Sequence, residues 1–184
     1  MDEKTRTRQR LAAAIKAEME HAPLDKITVT QIVERAGVTR QTFYRNFRDK
    51  YDLVNWHFEQ LAQKSFKQMG VSLTLREALI KKFQFLKGEQ TFFTQAFRSR
   101  DHNSVVAYDY QCILGFYTAV LEKKLGAAPL PGDIAFLLEM YCDASIHKTV
   151  EWVTTGMERP IPALVDLLIQ AMPEKLKDLL SDLQ

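Results

Sequence analysis

Long apolar runs, glycine, proline and cysteine are all scarce in this sequence of 184 residues. No apolar stretch approaches the roughly 20 residues that a membrane-spanning helix needs, so a membrane protein is not expected. Only 7 glycines and 6 prolines interrupt the chain, which favours long helices over many turns. The two cysteines, Cys112 and Cys142, match no metal or redox spacing, and buried thiols in a reducing cytoplasm are the favoured interpretation.

Signals for secretion and for catalysis are missing as well. The first ten residues carry positive charge, but no apolar segment follows them, so a secretory signal is not expected and the protein is predicted to be cytoplasmic. The sequence has no Gly-rich phosphate loop, nucleophile elbow or HExxH motif, and no pair of carboxylates with a supporting context. We therefore predict a protein that is not an enzyme, with no catalytic residue, no metal site and no cofactor.

The charge of the chain is unevenly distributed. Residues 1–50 hold 11 Lys and Arg against 7 Asp and Glu, a net charge of +4, whereas residues 51–184 hold 14 against 16, a net charge of −2. This asymmetry suits a small nucleic-acid-binding head on a neutral-to-acidic body. An ordinary solvated basic terminus is the alternative interpretation.

Residues 27–47, ITVTQIVERAGVTRQTFYRNF, predict two short helices joined by a tight turn. Thr28 and Gln31 have the spacing of a capping box at the start of the first of these helices. Gly37 follows that helix, where a left-handed residue is needed, and Thr39 can cap the next helix. A further helix over residues 4–21 completes a three-helix head. Its predicted core is Leu11, Ile15, Ile32, Val33, Ala36, Val38, Phe43 and Phe47.

The second helix of this pair has the division of faces that a DNA recognition helix needs. Phe43 and Phe47, four residues apart, point into the head and would hold the helix in place. The opposite face carries long polar side chains, and Arg and Gln can make bidentate contacts to guanine and adenine. Phosphates suit the threonines at the start of the preceding helix, the tyrosine of this helix, and the lysine at the start of the next one. They also suit Arg6 and Arg8 in the N-terminal arm. The predicted DNA-binding residues are Thr28, Thr30, Arg40, Gln41, Thr42, Tyr44, Arg45 and Lys50.

The remainder of the chain also predicts helices, and no segment predicts a strand that we would defend. Asp49 can cap a helix that runs to about Gln68, and Thr74 with Glu77 forms another capping box. The expected fold class is all-α, with about nine to ten helices. We expect a helix-turn-helix DNA-binding domain over residues 1–50 and a helical effector-binding and dimerisation domain over residues 51–184.

Aromatic residues are plentiful in this second region, and two interpretations of them stay open. Ordinary core packing accounts for any single ring, whereas a group of rings between helices can line an apolar effector pocket. The candidates for such a pocket are Phe83, Phe93, Phe97, Tyr108, Phe116, Tyr117 and Tyr141.

The helix predicted over residues 133–155 is apolar on more than one stripe. Such a helix must be buried on two sides, by its own domain and by a second surface. A two-fold four-helix interface with the next helix would satisfy this need and place two recognition helices about one DNA turn (~34 Å) apart. The predicted dimer-interface residues are Phe136, Met140, Ile146, Val150, Leu164 and Leu168.

The run from Thr28 to Leu53 resembles the DNA-binding head of TetR-family transcriptional regulators. The resemblance rests on Thr28, the Ala36-Gly37-Val38 turn, the Thr42-Phe43-Tyr44 triplet, Phe47, and Lys50 followed by Leu53. It implies a helical homodimer on a palindromic operator, with an effector pocket in the C-terminal body. It also implies DNA contacts at the positions predicted above, except that the position of Arg45 varies within the family.

Two further segments, RQTFYRNFRDKYDLVNWHFEQ and EQTFFTQAF, resemble one subset of that family. The subset includes activator-like regulators of dihydroxyacetone kinase operons, whose body can bind a protein co-regulator. From the TetR-family resemblance, the main hypothesis is a regulator whose affinity for double-stranded DNA is modulated by a ligand bound to the body. The resemblance to the subset supplies the alternative, a regulator whose body docks a protein co-regulator instead of a small molecule.

Overall fold

The computed structural model describes residues 2–183, apart from the side chains of Phe66 and Asp182. Within this range the chain forms ten α-helices and no β-strand, which confirms the predicted fold class. The helices are α1 (Glu3–Met19), α2 (Val29–Ala36), α3 (Arg40–Asn46), α4 (Lys50–Lys64), α5 (Leu75–Gly88), α6 (Gln90–Arg98), α7 (Val105–Leu125), α8 (Gly132–Thr154), α9 (Ile161–Gln170) and α10 (Glu174–Leu179). Among the described residues, no helix combines the length and the hydropathy needed to cross a membrane.

The predicted helix starts are set by local side-chain bonds. Thr28 Oγ1 accepts a hydrogen bond from the Gln31 N–H at 3.3 Å, and Gln31 Oε1 accepts one from the Thr28 N–H at 2.8 Å, so the capping box of α2 is confirmed. Thr74 and Glu77 form the same reciprocal pair, at 3.2 and 2.8 Å, before α5. Such bonds use atoms a few residues apart, which explains why the sequence predicts them well.

Helix α4 ends earlier than predicted. It stops at Lys64 instead of continuing to about Gln68, and a 3-10 helix spans Phe66–Gln68. Ser65 donates its hydroxyl to the Leu61 carbonyl oxygen at 2.8 Å, and its N–H bonds to the Ala62 carbonyl at 3.3 Å, three residues back. A hydroxyl that competes for a backbone acceptor and a tightened last turn both favour termination there.

The chain divides into two compact units, and the first contains residues up to 60 together with residues 89–105. Its head core is close to the prediction: seven of the eight expected residues are buried, and Val38, directly after the turn glycine, is half-buried instead. Aromatic rings of α4 and α6 extend this core. Phe93 lies 6.3 Å from Phe58 and 5.0 Å from Phe92, between ring centroids, in edge-to-face geometry.

The second unit contains residues 61–88 and 106–184. Its core is formed by apolar faces of α5, α7, α8 and α9, and Phe83 packs edge-on against Trp152 with 5.3 Å between ring centroids. Tyr141 on α8 donates its hydroxyl to the Leu168 carbonyl oxygen on α9 at 3.0 Å. These contacts hold α8 and α9 side by side within the unit.

The compact units do not follow the predicted division at residue 50. The division falls inside α4, between Gln60 and Leu61, and α6 belongs to the first unit. The reason is the packing of Phe92, Phe93 and Phe97, which are buried among the rings of that unit. The assignment of DNA binding to residues 1–50 and of effector binding and dimerisation to residues 51–184 stays a prediction.

Candidate nucleic-acid interface

Helix α3 has one buried face and one exposed face. Phe43 is fully buried, and the buried ring of Phe47 lies 6.0 Å from it, between centroids. Arg40, Gln41 and Arg45 are exposed, and Tyr44 is 51% exposed. The aromatic pair fixes the helix against its unit, so the polar side chains are presented from a rigid support.

The turn between α2 and α3 is closed by its backbone and by a side chain of α1. Gly37 adopts φ +63°, in the left-handed region, and the Val38 N–H donates to the Val33 carbonyl at 3.0 Å. Arg10 Nη2 donates to the carbonyl oxygens of Ala36 at 2.7 Å and Gly37 at 3.3 Å. The guanidinium therefore satisfies the last carbonyls of α2 and fixes the angle at which α3 leaves the turn.

Arg40 connects the two helices across their exposed faces. Its Nη1 donates to Thr30 Oγ1 on α2 at 2.8 Å, and its Nη2 donates to the Tyr44 hydroxyl at 3.4 Å. Its guanidinium carbon lies 5.9 Å from the centroid of the Tyr44 ring. Three of the predicted DNA-binding residues therefore form one hydrogen-bonded group on the surface.

Two more of the predicted residues lie at helix starts. Thr28 belongs to the capping box of α2 and is exposed. Thr42 donates its N–H to Thr39 Oγ1 at 3.1 Å, and the two hydroxyls lie 3.0 Å apart. Because these hydroxyls already bond locally, their orientation is set before any ligand arrives.

Lys50 is held at the start of α4 by backbone carbonyls. Its Nζ donates to the Asp25 carbonyl oxygen at 2.9 Å and to the Ile27 carbonyl oxygen at 2.8 Å. Burial lowers the pKa of this ammonium, although the nearby carboxylate of Asp25 opposes the shift. Its cationic head is thus fixed beside the start of α2, close in the fold to Thr28.

Asp25 has a structural role that no pattern in the sequence predicts. Asp25 Oδ1 accepts hydrogen bonds from Ser99 Oγ at 2.6 Å and from the Tyr51 hydroxyl at 3.1 Å. The bond from Ser99 is the main cause that lowers the pKa of Asp25, and burial chiefly raises the pKa of Tyr51 to about 12. Asp25 and Ser99 are 74 residues apart in the sequence. Since Ser99 follows α6 and Tyr51 lies at the start of α4, the Asp25 carboxylate connects these two helix ends.

A second polar group missed in the sequence joins α1, α4 and the start of α6. Glu89 Oε2 lies 2.8 Å from His57 Nε2 and 2.6 Å from Lys16 Nζ. Hydrogen bonds from His57 and Lys16 lower the pKa of Glu89 against the opposing effect of burial. The His57 ring also packs edge-on to Phe92, with 5.1 Å between centroids.

Arg8, expected to contact phosphate, is engaged within its own unit. Its guanidinium carbon lies 5.2 Å from the Phe47 ring centroid and 5.9 Å from that of Trp56. Its Nη2 donates to the Asn46 carbonyl oxygen at 3.2 Å, at the end of α3. The side chain thus contacts the C-terminal end of α3 and is half-buried, whereas Arg6 is exposed.

The predicted effector-pocket residues do not come together in one place. Phe93 and Phe97 belong to the first unit, where they are core residues, and Tyr108 and Phe116 are half-buried on α7. Phe83, Tyr117 and Tyr141 do line a common cavity in the second unit, but its volume is only about 20 Å³. Helical periodicity identified apolar faces without showing which unit each face packs into.

A buried ion pair borders this small cavity. Lys82 Nζ on α5 donates to both carboxylate oxygens of Asp109 on α7, at 2.8 and 2.6 Å. The two side chains are 2% and 0% exposed. Burial raises the pKa of Asp109, and the charge of Lys82 opposes that shift.

The predicted dimer-interface residues fall into two groups. Phe136 and Met140 are exposed and Val150 is half-buried. Ile146, Leu164 and Leu168 are buried in the core of their own unit, because they lie on the stripes through which α8 and α9 pack against α5 and each other. Leu167, which lies on the helix expected to supply the other half of the interface, is exposed.

Comparisons with known proteins agree in the kind of protein that they indicate. Residues 11–55 match a family model described as "Bacterial regulatory proteins, tetR family". Residues 74–174, more than half of the chain, match the TetR C-terminal model described as "Transcriptional regulator C-terminal region". No curated protein matches the chain by sequence.

Among solved structures, the chain is similar to one titled "Dihydroxyacetone kinase operon activator DhaS", with a TM-score of 0.64. The two sequences are 20% identical, and the alignment covers 94% of this chain and 97% of that chain. At this level of identity the likeness concerns the fold alone.

Proposed function

Because this chain belongs to the TetR family of transcriptional regulators, we propose that it binds a palindromic operator as a homodimer. We propose further that a molecule bound to the second unit changes this affinity. An effector acts only through its different affinity for the DNA-binding and the non-binding conformation.

The observation that carries the proposal is the division of α3 into a buried aromatic face and an exposed polar face. In this proposal the exposed Gln41 and the methyl group of Thr42 meet base edges, and Arg40 uses the guanidinium donors that remain beside its bond to Thr30. Each good bidentate contact contributes roughly 1–3 kcal/mol of discrimination between bases.

The remaining residues of the set surround this face and suit phosphates. Tyr44 presents its hydroxyl, Thr28 and Thr30 lie in the first turn of α2, and Lys50 adds positive charge. Such contacts contribute affinity that falls as the salt concentration rises, and they carry no direct sequence information. Arg45 is exposed on the same helix and suits either a base or a phosphate.

The test starts with selection of an operator by the full chain from a pool of random duplexes. On the selected duplex, Gln41→Ala should weaken binding by about 10-fold or more and relax the preference at one base pair per half-site. Lys50→Gln should weaken binding to all duplexes alike. It should also reduce the slope of the logarithm of the binding constant against the logarithm of the salt concentration by about one unit. Fluorescence anisotropy over a range of salt concentrations measures both effects.

Gln9→Ala is the matched control, since Gln9 is an exposed glutamine on α1 of the same unit. This variant should bind the selected duplex like the unchanged chain. If Gln41→Ala and Tyr44→Ala variants with native helicity bound it with unchanged affinity, the assigned DNA surface would be wrong.

A second candidate for the body is the docking of a protein co-regulator. The specific observation in its favour is the size of the cavity at Phe83, Tyr117 and Tyr141, which at about 20 Å³ holds about one water molecule. A drug-sized effector needs several hundred Å³, so it would bind there only after a rearrangement of α5, α7 or α8.

Native mass spectrometry of the purified chain separates the two candidates. One outcome is a small molecule that the purified chain retains at one per chain. If its removal by buffer exchange changes the affinity for the operator, the ligand-modulated regulator is supported. A stoichiometric protein partner that changes operator affinity in the absence of any retained small molecule supports the co-regulator hypothesis instead.

A further inference from the structure

Exposed basic side chains surround the end of α6, in the first unit but outside the set of predicted DNA-binding residues. Arg98, Arg100 and His102 are all exposed, and they alternate with Ser99 and Asp101. Among the residues that the structure describes, the Arg100 guanidinium forms no ion pair. An exposed and unpaired guanidinium can bind an anion from outside the chain, and phosphate is the anion whose geometry suits it best.

The segment that carries these side chains, residues 99–104, is tied to the start of α4 through Asp25. Ser99 Oγ and the Tyr51 hydroxyl donate to Asp25 Oδ1 at 2.6 and 3.1 Å. The Arg100 N–H bonds to the same carboxylate. The backbone of Arg100 is thus fixed by folding, and only its side chain remains to be ordered when it meets a ligand.

Further bonds hold the 99–104 segment in one conformation. Asn55 Nδ2 on α4 donates to the Asn103 carbonyl oxygen at 2.9 Å. Asp101 Oδ1 accepts the Asn103 N–H at 2.8 Å, and the Ser104 N–H donates to the Asp101 carbonyl oxygen at 3.0 Å. The segment is therefore an ordered support, which lowers the entropic cost of any contact that its side chains make.

The carboxylates beside Arg100 are engaged within the chain. The Asp25 carboxylate accepts the bonds that anchor the segment, and Asp101 Oδ1 lies 3.6 Å from His102 Nδ1. Lys26, directly after Asp25, adds an exposed positive charge. An anion that approaches this surface meets two exposed cations, whereas the carboxylates are occupied by donors of the chain itself.

The 99–104 segment adjoins the residues that are expected to meet phosphates. Lys50 Nζ donates to the Asp25 carbonyl oxygen at 2.9 Å, so Lys50 and the segment share Asp25 as their anchor. Thr28, three residues after Asp25, caps α2. Arg40 of α3 bonds instead to Thr30, farther into α2. The segment is thus bonded to the part of the surface where phosphate contacts are expected, and not to the helix expected to read bases.

We infer that the 99–104 segment is an additional contact to the DNA backbone, in which Arg100 and the neighbouring Lys26 bind phosphates adjacent to the one met by Lys50. Successive phosphates of one strand lie ~3.4 Å apart along the duplex axis, so a strand at Lys50 offers further phosphates beside it. The inference rests on the proposed function and extends the DNA surface beyond residues 11–55, which match the family model of the head. A contact of this kind adds affinity without sequence preference.

The strength of the contact is tested on the operator that the full chain selects from random duplexes. Arg100→Gln should weaken binding by about fivefold or more at about 0.1 M salt. It should also reduce the slope of the logarithm of the binding constant against the logarithm of the salt concentration by about one unit, as the loss of one phosphate contact requires. Arg100→Lys keeps the charge and should retain most of the affinity. Fluorescence anisotropy measures all three effects.

Lys123→Gln is the matched control, since it removes an exposed cation from α7 in the second unit. This variant should bind the operator like the unchanged chain, with the same dependence on salt. A loss for Lys123→Gln equal to that for Arg100→Gln would overturn the inference, because the effect would then follow from net charge and not from a contact.

The position of the contact is tested by replacing the operator phosphates one at a time with uncharged methylphosphonates. At one phosphate per half-site the replacement should weaken the unchanged chain and leave the affinity of the Arg100→Gln variant unaltered. The same scan with Lys50→Gln identifies the phosphate that Lys50 meets. The two phosphates should lie within a few positions of each other, and widely separated positions would overturn the placement of the segment beside Lys50.

The outcomes separate the inference from the proposed function. If Arg100→Gln and Lys26→Gln both bound the operator with unchanged affinity and salt dependence while Gln41→Ala weakened binding, the additional contact would be overturned and the DNA surface of α3 retained. If the full chain selected no duplex at all, the proposed function itself would fail.

Discussion

The two compact units place their charged side chains differently. In the first unit, Arg10 and Lys50 donate to backbone carbonyls at helix ends near the surface. In the second unit, Lys82 and Asp109 bond to each other in the core. Arg10 and Lys50 bond to neutral carbonyl oxygens, whereas Lys82 and Asp109 neutralise each other and fix α5 against α7. Whether the charge of a cation stays unneutralised depends on the partner that it meets when the chain folds.

The largest expected effect comes from separating the buried pair. Lys82→Met leaves the Asp109 carboxylate buried without its cation, which should lower the free energy of unfolding of the second unit by about 3–5 kcal/mol. The double variant Lys82→Met/Asp109→Leu should recover most of this loss, because an apolar pair needs no compensation. Urea unfolding followed by Trp152 fluorescence in a Trp56→Phe background reports on the second unit.

Lys81→Met is the control for this prediction, since Lys81 is the exposed neighbour on the same helix. Its effect should stay within about 0.5 kcal/mol. A Lys82→Met variant as stable as Lys81→Met would show that the pair contributes nothing to the core, and the contrast between the units would fail.

An intermediate effect is expected for the surface cation that closes the turn. Arg10→Met removes the donors to the Ala36 and Gly37 carbonyls, and should lower the free energy of unfolding by roughly 1–2 kcal/mol. It should also weaken operator binding, because the exit angle of α3 is no longer fixed. Urea unfolding followed by Trp56 fluorescence in a Trp152→Phe background measures the stability of the first unit.

Arg45→Met provides the comparison, since Arg45 is exposed on α3 of the same unit. This variant should retain its stability to within about 0.5 kcal/mol while it changes DNA binding. Equal stability losses for the two variants would mean that the bonds of Arg10 to the turn are not what stabilises it.

The smallest effect is a pH dependence at Asp25. Its pKa is held below the ordinary value, chiefly by the hydrogen bond from Ser99, so the folded state binds a proton less readily than the unfolded chain. The resulting stabilisation is present above about pH 4 and is lost as the pH falls through the lower folded pKa. Asp25 is exposed, so the contribution should be under about 1 kcal/mol.

Asp25→Asn should therefore be less stable than the unchanged chain at pH 6, and the difference in stability should be smaller at pH 3. The midpoints of urea unfolding at the two pH values measure this difference. Glu34→Gln serves as the control, since Glu34 is an exposed carboxylate on α2 of the same unit. If the difference in stability between Asp25→Asn and the unchanged chain grew towards pH 3, the lowered pKa of Asp25 would be contradicted.

The features that the sequence predicted well depend on neighbours within a few residues. Thr28 with Gln31, Gly37 in the left-handed region and Thr39 before Thr42 all act over one helical turn. The fold class and the polar face of α3 followed from the same short-range signals. The roles in DNA contact, in effector binding and in the dimer remain predictions.

The features that escaped prediction depend on distant pairs. Asp25 meets Ser99 across 74 residues, and Lys82 meets Asp109 across 27, and neither spacing has a sequence signal. On α8, periodicity shows two apolar stripes without showing which one faces inward, so buried Ile146 and exposed Phe136 look alike. Phe93 and Phe97 were assigned to an effector pocket because nothing local reveals that α6 packs in the first unit.

The carbonyl cradle of Lys50 has a consequence for the hydration of the protein surface. Folding has already replaced part of the water around this ammonium by the Asp25 and Ile27 oxygens and has fixed its four-carbon stem. A phosphate that meets Lys50 therefore displaces fewer ordered water molecules and freezes fewer rotations than one that meets a fully solvated lysine. Part of the dehydration and of the ordering has therefore taken place before any phosphate arrives.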